Sequence, residues 1–418
     1  MTIAQSLSTF GFAPVIAYTK PAAATPYRGL RAETTWQARQ CFSQQEGSQL
    51  AAATAALAEA SDQADAVAPA PQPEDAAVRV YPNLGIMYGT VDRAGLAALR
   101  EEPSVAKVTG APQLSLIRPV AAAPATPDQG STWGLQRLGV PELWASGLTG
   151  AGVGVAHLDT GVDVTHPALT DAVTAFAEFD IAGRLVPGAT ARDSDTIQGH
   201  GTHTAATLAG RAVEGRQVGV APGAALHCAM VIEGGDLVAR ILGGMDWAVG
   251  AGVRVLSLSL GLRGFQTDFL GLMDVLRDNG VLPIIAVGNE GPGTSRSPGN
   301  YPRALSVGYH DELLAVSDKS SSQRFPRRSQ PLVPDVVAPG EAVISAKNGG
   351  GWHALSGSSM AVPHVAGLAA LLLQAKPTAT VAALERAILA SASLGTMPKE
   401  RANRGAVHGP TALAALKP

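Results

Sequence analysis

Cysteine is nearly absent. The 418 residues contain only Cys41 and Cys228, which fall on opposite sides of the linker described below, so a disulfide framework is not expected and both read as ordinary buried thiols. Charge of one sign is also scarce: a formal net charge of −3 leaves no basic footprint for nucleic acid. No apolar run approaches the ~20 residues that span a bilayer, so no membrane partner is expected. The start, MTIAQSLSTFGFAPVIAYTK, lacks a basic opening, a clean apolar core and a small-residue cleavage site, which makes cytoplasmic residence the expectation.

Glycine and proline are abundant instead, at 47 and 29 residues. With 46% hydrophobic residues, they suit an α/β protein whose strands end in tight loops, large enough for one large core and a smaller one. Residues 61–77 read as a surface loop rich in Ala, Pro, Asp and Gln, and Arg118–Gly130 (RPVAAAPATPDQG) as an exposed linker. The expected division is therefore 1–117, a linker at 118–131, and 132–418.

Before the linker the pattern is strand (13–19), helix (36–60), strands (78–81 and 85–91), a short helix capped by Asp92, and a strand (105–108), the order of a split β-α-β sandwich. After it, strands at 154–158, 225–231, 253–258, 282–286 and 304–307 alternate with helices at 203–208, 237–249, 269–279 and 359–374. That alternation predicts a buried parallel sheet covered on both faces, with chemistry at the carboxyl ends of its strands.

Four segments carry chemistry-bearing residues at strand ends or helix starts. Asp159 closes an apolar strand in VGVAHLDTGVDVTHP; His200 lies between two glycines in QGHGTHTA; Ser359 opens an apolar helix in LSGSSMAVPHVAG; Asn289 ends the buried strand of IIAVGNEG. A serine at a helix start exposes its hydroxyl and aims its own N–H at developing negative charge, and Pro363 is assigned to the first turn, where N–H groups lack partners. His203 invites a metal reading with His200, but without an acidic third ligand it is read as a structural, hydrogen-bonded histidine. Singly each segment has a bland alternative: a loop-fixing Asp or Asn, or a Ser-rich cap. Jointly they supply an acid, an imidazole, a nucleophile and an amide donor, in the chain order Asp, His, Ser.

These segments, with GVAPGAAL and SLSLG between them, resemble the signatures of the subtilisin-like serine proteases over about 133–413. Ser358 stands where that family more often has threonine. The resemblance implies a serine endopeptidase acting on peptides or proteins, with Asp159, His200, Ser359 and Asn289 as its catalytic residues. It also implies an extended substrate paired with Ser259, Leu260 and Gly261 on one edge and Gly234 and Gly235 on the other. Ala286, Val287 and Gly288 would line the pocket for the residue before the scissile bond, with a preference for large apolar or aromatic residues; Arg296 is read as a solvated loop arginine, the alternative being that it reaches the base of that pocket and gives an acidic preference there. Calcium, a habit of the family, is not carried over: the loop Arg211–Gln217 offers one carboxylate, Glu214, where a tight site takes about 6–8 oxygens. Residues 1–117 are similar in outline to a subtilisin propeptide, which implies an intramolecular inhibitor and a self-inflicted cut at Leu116, Ile117 or Arg118. The other readings are a catalytically restrained binding protein on the same fold, an esterase or ligase using the same acyl-enzyme, and a maturation protease dedicated to one partner.

Overall fold

A computed structural model describes residues 2–20, 38, 41–42, 78–111, 115–232 and 234–416. Its centre is a seven-stranded sheet in the order Val336–Pro339, Leu305–His310, Leu282–Ala286, Val255–Leu258, Gly154–Asp159, Ala225–Met230, Val173–Glu178, every neighbouring pair parallel. The five inner strands are the five apolar runs of the sequence, since a strand covered on both faces has no polar side to alternate with. The two edges were not anticipated. Val173–Glu178 is mostly half-exposed and lacks a continuous apolar run, while Val336–Pro339 is four residues long and ends in proline.

Alternate residues feed two apolar clusters on opposite faces: Val155 points into one, Ala156 and Leu158 into the other. The first is closed by helices His200–Ala209 and Ser358–Ala375, the second by Leu237–Gly250 and Leu270–Asp278. Ser358–Ala375 is long and apolar enough to cross a membrane, but 89% of that stretch is buried inside the protein; it is a core helix.

The N-terminal region forms a four-stranded antiparallel sheet in the order Val78–Tyr81, Ile86–Val91, Ala13–Thr19, Val105–Gly110, the strand order of a split β-α-β unit. Helix Arg93–Glu101 starts where the Asp92 carboxylate accepts the Gly95 N–H at 2.7 Å. A further helix, Ile3–Phe10, is closed by a reciprocal cap between Thr2 and Gln5, a threonine followed three residues on by glutamine that the sequence reading passed over. The expected helix at 36–60, apart from residues 38, 41 and 42, and the loop at 61–77 lie outside the described residues. No disulfide joins Cys41 to Cys228; Cys228 is buried, but Cys41 is half-buried rather than a core thiol.

One face of this sheet sits on the two helices of the second cluster. Ile16, Tyr18, Ile86 and Tyr88 share that cluster with Ile241, Met245 and Leu272. Asn83 and Leu84 donate their N–H groups to the Asp246 carboxylate at 2.7 and 3.0 Å, and the Tyr81 hydroxyl donates to the Ala239 carbonyl at 3.0 Å. The stretch expected to be an exposed linker is mostly exposed in its side chains, Pro127 being buried, but its backbone is paired: Ala121–Pro124 adds a strand to Trp352–Ser356, and Gly130–Ser131 pairs with Arg216–Gln217. An Ala/Pro run carries no side-chain periodicity that would reveal such pairing.

Candidate active site

The acid and the imidazole meet because one ends a central strand and the other begins the helix packed on it. Asp159 Oδ1 lies 2.7 Å from His200 Nδ1 and also accepts the Thr160 N–H at 2.7 Å. Burial pushes the Asp159 carboxyl up, but the adjacent imidazole outweighs it and holds the group below the usual aspartate value. Burial pulls His200 down, and the charge and hydrogen bond of Asp159, with Asp193 and Asp195 behind it, raise it above the ordinary histidine value.

The helix start is fixed by an acidic loop that sequence reasoning missed. Asp195 accepts the His200 N–H at 3.2 Å; Asp193 takes the N–H and hydroxyl of Thr202 at 2.8 and 2.6 Å and the Thr160 hydroxyl at 2.8 Å. The signal was Asp193 and Asp195 just ahead of the helix, where carboxylates satisfy N–H groups that have no intrahelical partner. Gly201 cannot be larger, since a Cβ there would lie 2.1 Å from the Gly161 carbonyl oxygen. His157 was also missed. Its Nε2 sits 2.8 Å from Thr204 Oγ1 and 3.9 Å from Asp159 Oδ2, and burial lowers its pKa, so a neutral ring backs the acid. His203 places Nε2 2.9 Å from the Val343 carbonyl, and burial holds it well below the usual histidine value.

Ser359 is the second residue of its helix and wholly buried. Its hydroxyl donates to the Ile117 carbonyl at 2.7 Å. His200 Nε2 is buried and has no hydrogen-bond partner among the described residues. Pro363 is the sixth residue of this helix, not in the first turn as expected. Lacking an N–H, it leaves the Ser359 carbonyl without its usual acceptor role in the helix ladder, and the Ser259 hydroxyl donates there instead at 3.3 Å.

Asn289 is oriented from behind. Its Oδ1 accepts the N–H and the hydroxyl of Ser358 at 2.8 and 2.9 Å, which leaves Nδ2 to donate to the Arg118 carbonyl at 2.9 Å. Serine in place of threonine at 358 therefore keeps the hydroxyl that holds the amide. Gly357 gives the amide room, because a Cβ there would lie 2.8 Å from Nδ2.

The segment entering this site is an added strand. Leu116 pairs with Leu260 and Ser115 with Gly261, antiparallel, and the Ile117 N–H donates to the Ser259 carbonyl at 3.1 Å. Beyond the site the Val120 N–H donates to the Ser356 carbonyl at 2.8 Å. Among the described residues, none of this segment pairs with Gly234 or Gly235; the Gly234 carbonyl accepts from Arg240 at 3.0 Å, and a Cβ on Gly235 would meet the Ile181 carbonyl oxygen at 2.2 Å. Ala286, Val287 and Gly288 are buried at the end of their strand. Arg296 is not the solvated arginine expected from the sequence: it is 8% exposed and ion-paired with Glu290 beside Gly288. The loop Arg211–Gln217 does not fit a calcium ion, since exposed Glu214 is already paired with Arg216 at 3.0 Å and Arg211 donates to the Asp171 carbonyl at 2.9 Å.

An acid, an imidazole and a buried hydroxyl, met in that order along the chain at the strand ends and helix starts of a parallel sheet, have the Asp–His–Ser arrangement of a serine hydrolase, and the family match below makes it a serine endopeptidase. Comparison with known proteins agrees. Residues 150–410 match the model of the subtilase family. The chain is 34% identical over 297 residues to subtilisin E of Bacillus subtilis (strain 168), covering 70% of this chain and 71% of that protein. It is 36% identical over 252 residues to subtilisin Savinase of Lederbergia lenta, covering 60% and 87%. This chain belongs to the subtilase family.

Proposed function

We propose that this endopeptidase is made as a zymogen inhibited by its own residues 1–117, and that it processes itself at the Ile117–Arg118 bond through an acyl-enzyme on Ser359. The observation carrying this reading is the 2.7 Å contact of the Ser359 hydroxyl with the Ile117 carbonyl, in a chain pinned by strand pairing before and after it. Added-strand pairing is how extended peptides are bound in clefts, and Leu116 and Ile117 are both buried there. A free substrate then competes with a tethered one for the same edges.

In the reaction, Ser359 Oγ bonds to the Ile117 carbonyl carbon as its proton passes to His200 Nε2. Asp159 stays ionised, fixes the imidazole tautomer and stabilises the imidazolium. The carbonyl oxygen becomes an oxyanion and accepts from Asn289 Nδ2 and the Ser359 N–H. The bond to the Arg118 nitrogen breaks as His200 returns the proton to that nitrogen. Water then repeats the sequence on the ester and releases the Ile117 carboxylate.

The resting arrangement stops short of this. The Ser359 hydroxyl is turned to the Ile117 carbonyl oxygen, while Asn289 addresses the carbonyl of Arg118, one residue downstream. Attack requires the hydroxyl to turn to Nε2 and the Ile117 carbonyl to swing toward Asn289 Nδ2, with the pairing of Ser115 and Leu116 to Gly261 and Leu260 kept. Pro119, with its fixed φ, stiffens the segment next to the peptide that must rotate, so processing is slow. Purified wild type is expected to yield an N-terminal fragment ending at Ile117 that stays bound, whereas Ser359→Ala stays full length. A wild type that stays uncut and fully active would sink the zymogen reading; a fragment ending at Arg118 would make the Asn289 contact, not the Ser359 contact, the mark of the scissile bond.

A further inference from the structure

Arg296 is placed to read the substrate. Its short strand, Arg296–Ser297, pairs antiparallel with Leu260–Arg263, the same strand that holds Ser115 and Leu116 on its other side. The side-chain stem runs between two glycines: a Cβ on Gly261 would lie 2.9 Å from Arg296 Cβ, and one on Gly288 3.2 Å from Arg296 Cγ. Neither wall can carry a side chain without moving the arginine. At the far end the guanidinium is spread over three partners. Nε and Nη2 both donate to Glu290 Oε1, Nη1 donates to the Gly261 carbonyl at 3.1 Å, and the same Nη1 donates to the Ser115 hydroxyl oxygen at 3.2 Å. One arm of the fork therefore faces the residue that the incoming strand sets opposite Gly261.

The local charge is positive. Glu290 is the single carboxylate that these contacts include, and it faces two guanidinium groups, with Arg263 Nε 3.8 Å from the oxygen that Arg296 also holds. Its second oxygen is taken by the Asn289 N–H at 3.1 Å and the Ser321 hydroxyl at 3.2 Å. A carboxylate standing where Ser115 stands would meet an arginine arm already fixed in place, and charge-assisted bonds to a pre-set guanidinium are about twice as strong as neutral ones. An ammonium there would meet like charge.

We propose that Arg296 is a specificity-determining residue that selects an acidic side chain at the third position before the scissile bond. This rests on the register of the preceding section, in which Ile117 is the first residue before the cut and Ser115 the third. The serine of the native segment is then a weaker ligand of Arg296 than the best substrates, so a tethered, serine-bearing strand can be displaced by acidic peptides.

The test uses the processed wild-type enzyme and the peptide series Gln-Leu-Xaa-Leu-Ile-Arg-Pro-Val, with Xaa as Asp, Glu, Ser, Ala or Lys. Products are identified by mass and active sites counted by fluorophosphonate labelling. Cleavage between Ile and Arg with kcat/KM for Asp at least about tenfold above Lys, and Ser between them, supports the assignment. Equal rates for Asp and Lys with the cut at Ile–Arg overturn it while leaving the processing register intact; a cut at another bond removes Ser115 from the third place, and both readings fall together. In Arg296→Met, which keeps the stem and loses the charge, the Asp-to-Lys ratio should collapse to within about twofold; a ratio that persists assigns the selection to Arg263 and overturns the role of Arg296. The wild-type series decides even if that variant does not fold.

Discussion

Replacing Asn289 by alanine removes two separate things, and the structure says how each should be measured. On the proposed mechanism the Nδ2 donor is lost from the oxyanion, which should lower turnover by about 10²–10³, because such a donor acts where charge develops and not on the ground-state carbonyl. The Oδ1 acceptor is lost as well. The Ser358 N–H and hydroxyl, both wholly buried, give their hydrogen bonds to that oxygen at 2.8 and 2.9 Å. Leaving a buried donor unpaired costs about 1–3 kcal/mol, so Asn289→Ala should also unfold at distinctly lower denaturant. Ser358→Ala, which deletes one of those two donors, should keep most of the stability and lose much less turnover than Asn289→Ala, since the Ser358 N–H still holds the amide. Steady-state kinetics on a peptide substrate, with urea melts of the inactivated enzyme, give both quantities. A loss confined to KM, or a fall in kcat of less than about tenfold, would refute the oxyanion role.

In the proposed mechanism His200 must be neutral to accept the serine proton, and its pKa lies above the ordinary value; activity should therefore be lost as pH falls through a midpoint above about 6.5, and Asp159→Asn should move that midpoint down while cutting turnover by about 10⁴, both read from a kcat/KM profile. Burial pushes Asp335 up to about 7, against the hydrogen bond it accepts from the Ser306 N–H. The folded protein thus binds a proton there that the unfolded chain releases near 3.9, so this group's contribution to stability declines as pH rises from about 4 to 7; Asp335→Asn should gain stability relative to wild type at pH 8 and not at pH 4, in thermal melts at the two values. Asp246→Ala strips the acceptor of the Asn83 and Leu84 N–H groups, worth about 1.5–3 kcal/mol for charged hydrogen bonds, and should loosen the bound N-terminal fragment by about tenfold or more, seen as its loss on gel filtration; undiminished co-elution would show that the apolar face alone holds it.

The inner sheet and the four segments bearing Asp159, His200, Asn289 and Ser359 were legible because local chemistry writes them. A strand buried on both faces has to be a continuous apolar run, and a nucleophile or a base at a strand end or helix start needs small neighbours, as the glycines around His200 and before Ser359 record. The edge strands were not legible, since Val173–Glu178 is half-exposed and its pairing with Ala225–Met230 is a matter of backbone alone. The strand hidden in the Ala/Pro stretch escaped for the same reason: four exposed side chains carry no imprint of the hydrogen bonds their backbone makes to Trp352–Ser356. Contacts between residues far apart in the chain lay wholly beyond the sequence. Which carbonyl faces Ser359, which face of the N-terminal sheet meets Asp246, and whether Arg296 points to solvent or into the cleft depend on the close packing of side chains from several elements. Arg296 carries the same charge in either place; only its confinement between Gly261 and Gly288 turns it toward Ser115.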